Sequence, residues 1–346
     1  MTQPEHSKPR RATMRDVSKR AGVSVQTVSN LLNGREHLMT PETRERVEQA
    51  MVVLDYRPNA TARGLRSQRT KTLGFLVLDN DAKFLADPMT DMVMAGVGDL
   101  ARERGYGVLI QSAGFKEADK VLLQPLHESR VDGAILYLSG EPDRRHRLLR
   151  RVVDMGYPAV ALGESSFDLL PSVTAANVEG AHRLVNHLLE KGHRRIAFAA
   201  ARSTWPQVED RYSGYRAALR DAGIEPERDL QIFRGRWDAA SGAEVAEALF
   251  DLQEPPTAIV AANDLLALGI IHMAKQRGLK VPDDIAVSGF NNFDFSAYIS
   301  PALTTVSLPV YEMGRAAAEL LLGRLGQPTD AVSEEFAVEI LIRDST

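Results

Sequence analysis

The chain has no cysteine among its 346 residues. That excludes a disulfide frame, thiolate chemistry and cysteine-ligated zinc. No apolar stretch approaches the ~18 residues needed to span a bilayer. The basic N-terminus is not followed by an apolar region, so it does not read as a signal peptide and the protein is expected in the cytoplasm. Enzyme signatures are missing too: there is no GxxxxGK[ST] phosphate loop, no GxGxxG turn and no HExxH helix. His182 and His187 stand five apart on one helix, the wrong spacing for a metal face, and His193 follows a turn. No Ser-His-Asp set has a nucleophile elbow to anchor it. The expectation is therefore a non-enzyme without cofactor or metal.

A net charge of −4 also lacks the basic excess that a nucleic-acid partner asks for. Its distribution reverses that impression. Residues 1–71 hold 14 Lys and Arg against 7 Asp and Glu, and the remainder 28 against 39. A basic head on an acidic body keeps phosphate attraction local to the head. The length fits about two or three domains.

What is present is sharpest between Thr13 and Asn33. Thr13 can cap a helix, with Asp16 three residues on to complete a capping box. Gly22 ends that helix, because glycine adopts the left-handed C-terminal cap at little cost. Ser24 then caps a second helix, Val25 to Leu32. Val28, Leu31 and Leu32 form its buried stripe, while Gln26 and Asn30, four apart, face outward. A short helix that displays amides after a tight turn is what a DNA major groove admits and reads. The plain alternative is an ordinary surface helix pair. Thr40-Pro41 starts a third helix with cap and first-turn proline in place, and Val47, Ala50, Met51 and Leu54 give it a core stripe. Asn59 can cap a further helix of about seven residues, well below the ~12–15 needed to persist alone, so this segment should order only against a partner. Residues 1–12 are expected to form a disordered basic arm, 13–58 the helix-turn-helix domain and 59–71 a hinge helix and linker.

After residue 71, short apolar runs alternate with amphipathic helices. Strands are expected at 73–78, 108–111, 133–138 and 159–162, with helices at 89–104, about 116–129 and 143–154. The pattern restarts with a helix at 180–191, closed by Gly192. Strands at 196–200, 230–233, 258–262 and 285–290 follow, with helices at 209–222, 239–250 and 264–277. Such alternation implies parallel sheets covered on both faces, and two series imply two doubly wound subdomains. Ligands in such folds bind outside the carboxyl ends of the strands. Those ends offer Asp79-Asn80-Asp81 with Phe84-Leu85, then Gln111-Ser112, Gly163-Glu164, Asn263-Asp264 and Asn291-Asn292. Arg211 and Trp237 stand on segments leading into helices. This mixture suits a polyhydroxylated ligand, since forked donors and acceptors meet hydroxyls and an indole covers an apolar sugar face. Each also has a plainer reading: Asn263 and Asn291 as turn residues, Trp237 as core, Arg211 as a surface arginine.

The run from Thr13 through RSQRTKTLGFLV resembles the lactose-repressor (LacI/GalR) family of bacterial transcription regulators. So do LEKGHRRIAF near Leu189, AANDLLALG near Asn263, SPALTTVSLPVYEMG near Pro301 and the terminal LIRDST. The resemblance implies an all-α helix-turn-helix headpiece with a hinge helix, ahead of an α/β periplasmic-binding-protein-like core of two doubly wound parallel-sheet subdomains. It further implies that the first subdomain spans about 72–169 plus 307–331, and the second about 170–306 plus 332–346. On this reading Val25, Gln26 and Asn30 meet base edges. Thr13, Ser24, Thr27, Asn33, His37 and Thr40 contact phosphates. Leu65 wedges into the minor groove, with Ala62 and Arg66 beside it. Arg211 in DRYSGYR, Asn263 in AAND and Asn291 in SGFNN match effector-contacting positions. Trp237 matches a sugar-stacking aromatic, and Phe84 and Leu85 a pocket wall; Asp81 and Gln111 join them as strand-end candidates. The expected partners are a near-palindromic operator, a small effector, most simply a sugar, and a second copy in a homodimer, with no membrane. With LIRDST at the end of the sequence, a dimer is expected rather than a tetramer. The resemblance places the protein in a bacterial cytoplasm, on the nucleoid.

Two departures stand out. Relatives commonly read GFDD where this chain has Gly289-Phe290-Asn291-Asn292, and an amide donates as well as accepts. Gly163 stands where several sugar-binding relatives carry an acid, with Glu164 beside it. The rival readings are a nucleobase-dependent co-repressor mode and a stand-alone solute-binding module.

Overall fold

The computed structural model describes residues 12–57, 69–80, 84–202, 205–325 and 332–346, with Phe84 by its backbone only. The basic arm, the hinge segment with Ala62, Leu65 and Arg66, and Asp81 lie outside the described residues. The chain divides into a head, Met1–Thr70, and a body, Lys71–Thr346.

The head consists of three helices, α1 Met14–Ala21, α2 Val25–Leu32 and α3 Pro41–Val53, as the sequence predicts. Both halves of the capping box form: Asp16 N donates to Thr13 Oγ1 at 3.3 Å, and Thr13 N donates to Asp16 Oδ2 at 2.8 Å. Gly22 closes α1 with φ 65°. Ser24 Oγ accepts from Thr27 N at 3.0 Å, and Thr40 Oγ1 from Thr43 N at 3.3 Å. Each such cap contributes about 1 kcal/mol, which counts in helices of only eight residues. Val17, Ala21, Val28, Val47 and Ala50 are buried between the helices, flanked by Leu31, Leu32, Met51 and Leu54.

In the body, β1 (Thr72–Leu78), α4 (Pro88–Glu103), β2 (Gly107–Ala113), β3 (Gly133–Leu138), α5 (Pro142–Asp154), β4 (Ala159–Leu162) and β5 (Ser172–Ala175) build the first subdomain. The chain continues as α6 (Asn177–Glu190), β6 (Ile196–Ala200), α7 (Pro206–Asp221), β7 (Gln231–Phe233), α8 (Ala239–Phe250), β8 (Ala258–Ala261), α9 (Asp264–Gln276) and β9 (Ala286–Ser288). It ends with β10 (Thr305–Ser307), α10 (Val310–Arg324), β11 (Glu334–Phe336) and β12 (Glu339–Leu341). Six parallel strands in the order β11-β5-β4-β3-β1-β2 form one sheet, and four in the order β7-β6-β8-β9 the other; β10 and β12 pair antiparallel.

Strand β1 shows why TLGFLVL reads as an unbroken apolar run. Leu73, Phe75 and Val77 face a layer containing Val93 and Val97 of α4 and Ala317 and Leu321 of α10. Leu76 and Leu78 face the opposite layer with Leu122, Leu126, Leu149 and Val152. A strand covered on both faces has no polar side to display. Helix α10 thus packs in the first subdomain, lying against α4. A Cβ on Gly96 would sit 2.1 Å from Tyr311 O, and one on Gly314 2.3 Å from Val93 O, so the two backbones approach only because both positions are glycine.

Two expectations are corrected. The helix predicted at about 116–129 is a π turn, Ala118–Leu122, followed by a single turn, Gln124–His127. Pro125 has no N–H for a continuous ladder, and its ring opposes the preceding turn. The subdomain crossings also shift. β5 and β11 belong to the first sheet, so the chain leaves that sheet after Ala175 rather than near 169, and again after Phe336 rather than near 331. SVTA and EEF are too short and too polar for the apolar-run criterion to find.

Candidate functional site

Two surfaces carry the candidate residues, one on the head and one in the body. On the head, the outward face of α2 presents Val25, 41% exposed, beside Gln26 and Asn30. Gln26 Nε2 donates to Asn30 Oδ1 at 3.0 Å, so the i, i+4 amides orient one another. The residues expected at phosphates hold the helix ends. Thr13, Ser24 and Thr40 are N-caps, and Ser24 Oγ and Thr27 Oγ1 lie 2.9 Å apart. Asn33 closes α2 by donating from Nδ2 to Ser29 O at 2.6 Å. His37 is exposed on the turn Glu36–Leu38. Capped N-termini offer aligned N–H groups and a positive dipole end, which suits a phosphate backbone.

In the body, one cavity lies where the two subdomains meet. Asp87, Met89 and Tyr137 form its wall in the first subdomain. From the second come Trp205, Gln207, Val208 and Arg211 at the start of α7, with Trp237, Asn263 and Asn291 from the neighbouring strand ends. Its volume is about 40 Å³, room for about three waters and too little for a sugar ring. A ligand of that size must part the subdomains to enter.

Contacts across the cleft explain the small volume. The Tyr137 and Trp205 rings stand 4.2 Å apart at 31°, and Gln207 Nε2 donates to Tyr137 Oη at 3.0 Å. Gly163, at φ 76°, makes room for this, since a Cβ there would lie 2.8 Å from Gln207 Oε1. The space that an acid would fill at residue 163 is thus taken by an amide from the opposite subdomain. Glu164 does not substitute for that acid, because it is buried against Arg145 at 2.7 Å.

Arg211 is 2% exposed. Its Nε donates to Asn177 Oδ1 at 2.9 Å and its Nη1 to Ala262 O at 2.6 Å, and the guanidinium lies 3.9 Å over the Phe290 ring. Among the described residues no carboxylate lies within ion-pair distance, and burial pulls its pKa down to about 10. Four buried polar atoms of the cavity wall have no partner among the described residues: Arg211 Nη2 and Trp237 Nε1 as donors, Gln207 Oε1 and Asn291 Oδ1 as acceptors. An unpaired buried polar group costs about 1–3 kcal/mol, so four at one place mark a surface shaped for something that pairs with them.

Neighbouring groups position these atoms. Asn263 Oδ1 caps α9 by accepting from Leu266 N at 2.8 Å, and the same side chain lines the cavity. Asn291 adopts φ 106° and Asn292 φ 56°, conformations that asparagine tolerates better than most residues. The two amides diverge: Asn291 lines the cavity, whereas Asn292 accepts from Arg343 Nη2 at 2.8 Å and donates to Ser307 at 3.3 Å. Asp264, behind this turn, accepts from Thr305, Phe293 N and Ser296.

Of the predicted cleft residues, Arg211, Trp237, Asn263 and Asn291 come together. Leu85 is 45% exposed and does not line the cavity. Gln111 turns its amide to Ser112 O at 2.9 Å on strand β2 and lies outside the cavity as well. Phe84 begins the short turn Phe84–Ala86. The sequence reading missed Tyr137, Trp205 and Gln207. Gln207 and Arg211 are four apart on α7, a spacing that could have paired them. Tyr137 in its apolar strand looked like core.

A helix-turn-helix head followed by a body that places a polar cleft between two subdomains defines a ligand-responsive transcriptional regulator. Residues 13–59 match the lacI family of bacterial regulatory proteins, and residues 185–346 match a periplasmic binding protein-like domain. The HTH-type transcriptional repressor CytR of Escherichia coli (strain K12) is 34% identical over 338 residues, 97% of this chain and 96% of that protein. The lac repressor dimer bound to operator and the anti-inducer ONPF aligns at a TM-score of 0.87 and 27% identity, over 97% of this chain and 99% of that one. A complex of the transcriptional regulator CelR with cellobiose aligns at 0.73 and 31% identity, over 97% and 100%. The chain belongs to the lacI family. Among the described residues no helix is long and apolar enough to cross a membrane.

Proposed function

We propose that this protein is a dimeric repressor that reads a near-palindromic operator with α2 and changes its operator affinity when a neutral, hydroxyl-bearing ligand, a sugar, binds in the body cleft. The observation that carries the ligand reading is the set of four unpartnered atoms on one cavity wall, two donors and two acceptors. A hydroxyl donates and accepts at once, so a polyol satisfies such a set without net charge. Trp237 and Trp205 supply faces for the apolar side of a sugar ring. The cellobiose bound by CelR is a ligand of this kind.

On the head, Gln26 and Asn30 are the base-reading pair and Val25 their apolar neighbour, with Thr13, Ser24, Thr27, Asn33, His37 and Thr40 on the backbone. Arg211, Trp237, Asn263 and Asn291 hold the ligand, joined by Gln207. The site of action is the bacterial nucleoid in the cytoplasm, and the protein performs no catalysis. A second reading, a nucleobase ligand, draws support from the Tyr137–Trp205 stack, which could accept a planar ring.

A thermal-shift screen of the full chain with monosaccharides, disaccharides, polyols, purines and nucleosides tests both. A rise in melting temperature with a sugar, erased in Arg211→Ala, supports the first reading. A rise with nucleobases alone replaces it with the second, and no rise with any of them refutes both. Any active compound is then titrated against operator enriched from random duplexes: an inducer weakens binding and a co-repressor strengthens it.

A further inference from the structure

Near the cleft, but away from its ligand-facing wall, Arg145 of α5 is 1% exposed and meets two carboxylates from different subdomains. Its Nε donates to Glu164 Oε2 at 2.7 Å, within the first subdomain. Its Nη1 and Nη2 donate to Glu209 Oε1 and Oε2, both at 3.0 Å, on α7 of the second. Nη1 also donates to Gly140 O. Glu164 is fixed in turn by Ser166 Oγ at 2.8 Å, with His146 Nε2 at 3.5 Å. Beside this cluster Ser165 Oγ donates to Asp210 Oδ2 at 3.1 Å, a second bond between the subdomains.

We propose that Arg145 and Glu209 form a releasable clasp that sets how far the cleft closes, and that Glu209 is a positioning residue for the ligand-binding wall of α7. The asymmetry of the cluster is the argument. Breaking a buried ion pair is costly when a charge is left unpaired in the interior. Here, parting the subdomains leaves Arg145 with Glu164 and the Gly140 carbonyl, so its charge stays compensated. Glu209, whose side chain is 36% exposed even while paired, returns to water. Neither partner is stranded, so the clasp favours closure without locking it. Its place matters as well. Glu209 lies between Gln207 and Arg211 on α7, so holding it fixes the segment that aims both at the cavity. The cavity is too small for a ring while the contacts stand, and ligand entry therefore has to open this bond and ligand capture to remake it.

The chain has no cysteine, so a pair introduced at exposed positions carries spin labels without background. Arg147→Cys on α5 and Ser213→Cys on α7 report the separation of the subdomains by pulsed electron resonance on the full-length protein. Glu209→Gln in that background should raise the open fraction about five-fold, as expected for a partly exposed ion pair worth about 1 kcal/mol. The melting temperature should hold within about 2 °C, because Arg145 keeps Glu164. Adding 0.5 M NaCl should move the distances of the parent pair the same way and leave those of the Gln variant unchanged. Identical distance distributions for parent and variant would overturn the clasp. So would a large drop in melting temperature without a change in distance, which would make the bond merely structural. The measurement uses no ligand, so it stands or falls separately from the sugar reading.

Discussion

Replacing Asp264 with asparagine isolates one buried charge beside the cleft and gives it a pH signature. Asp264 is fully buried at the start of α9. Its Oδ1 accepts from Thr305 Oγ1 at 2.6 Å, and its Oδ2 from Phe293 N at 2.7 Å and Ser296 Oγ at 2.8 Å. These bonds tie α9 to the turn carrying Asn291 and to β10. Burial outweighs them and pushes the carboxyl up to about 6. An unfolded aspartate titrates near ~3.9. Between about pH 4 and 6 the native state therefore binds more protons than the unfolded chain, and the group's contribution to stability falls as pH rises. It is fully present below about pH 4 and lost above about pH 6. Roughly two pH units at ~1.4 kcal/mol each make the loss about 3 kcal/mol. Asp264→Asn keeps an oxygen for Phe293 and Ser296, turns a nitrogen toward Thr305 and cannot ionise. Urea unfolding of both proteins at pH 4.5 and pH 7 should show the variant gaining on its parent by about 2 kcal/mol between the two conditions. Taking the difference cancels the other titrating groups, including Glu164, which burial pushes up but Arg145 holds below the ordinary range. Parallel behaviour at the two pH values would refute the reasoning. Asp264→Ala, which strands three donors, should cost at least about 3 kcal/mol at pH 7.

Gln26→Ala should weaken binding to enriched operator by about 1–3 kcal/mol while sparing a scrambled duplex; an equal loss on both in gel shifts would remove its base-reading role. Leu65→Ala, in the segment outside the described residues, should lower operator affinity if that side chain wedges the minor groove, and unchanged affinity would sink the role. Gly163→Ala should lower the unfolding free energy of the body by about 1–2 kcal/mol, because φ is 76° and its Cβ would press on Gln207; a neutral result in urea would refute that account.

The head was legible in the sequence because its determinants are local. A cap, a glycine at the helix end and an i, i+3, i+4 stripe act within one or two turns, so Thr13, Ser24, Gly22 and Val28 could be assigned from spacing alone. The alternation of apolar runs with amphipathic helices likewise gave two parallel sheets, since a strand covered on both faces must be apolar throughout. The cleft was half legible. Arg211, Asn263 and Asn291 stand at strand ends and helix starts, where the fold class already directs attention. Tyr137, Trp205 and Gln207 did not stand out, because what makes them site residues is each other, across 70 positions of chain.

What the sequence by itself determined is the identity and order of the units: a three-helix reader, an acidic α/β body and polar residues at the mouths of its sheets. Only the tertiary structure decided which of those residues meet. It set Gln207 over Gly163, turned Asn292 away from Asn291, withdrew Glu164 to Arg145 and excluded Gln111 and Leu85 from the cavity. It also moved β5 and β11 into the first sheet. These outcomes depend on contacts between distant segments, which local propensity does not encode. The head's helices carry their stop and start signals within themselves, whereas the cleft exists only where two subdomains close on each other.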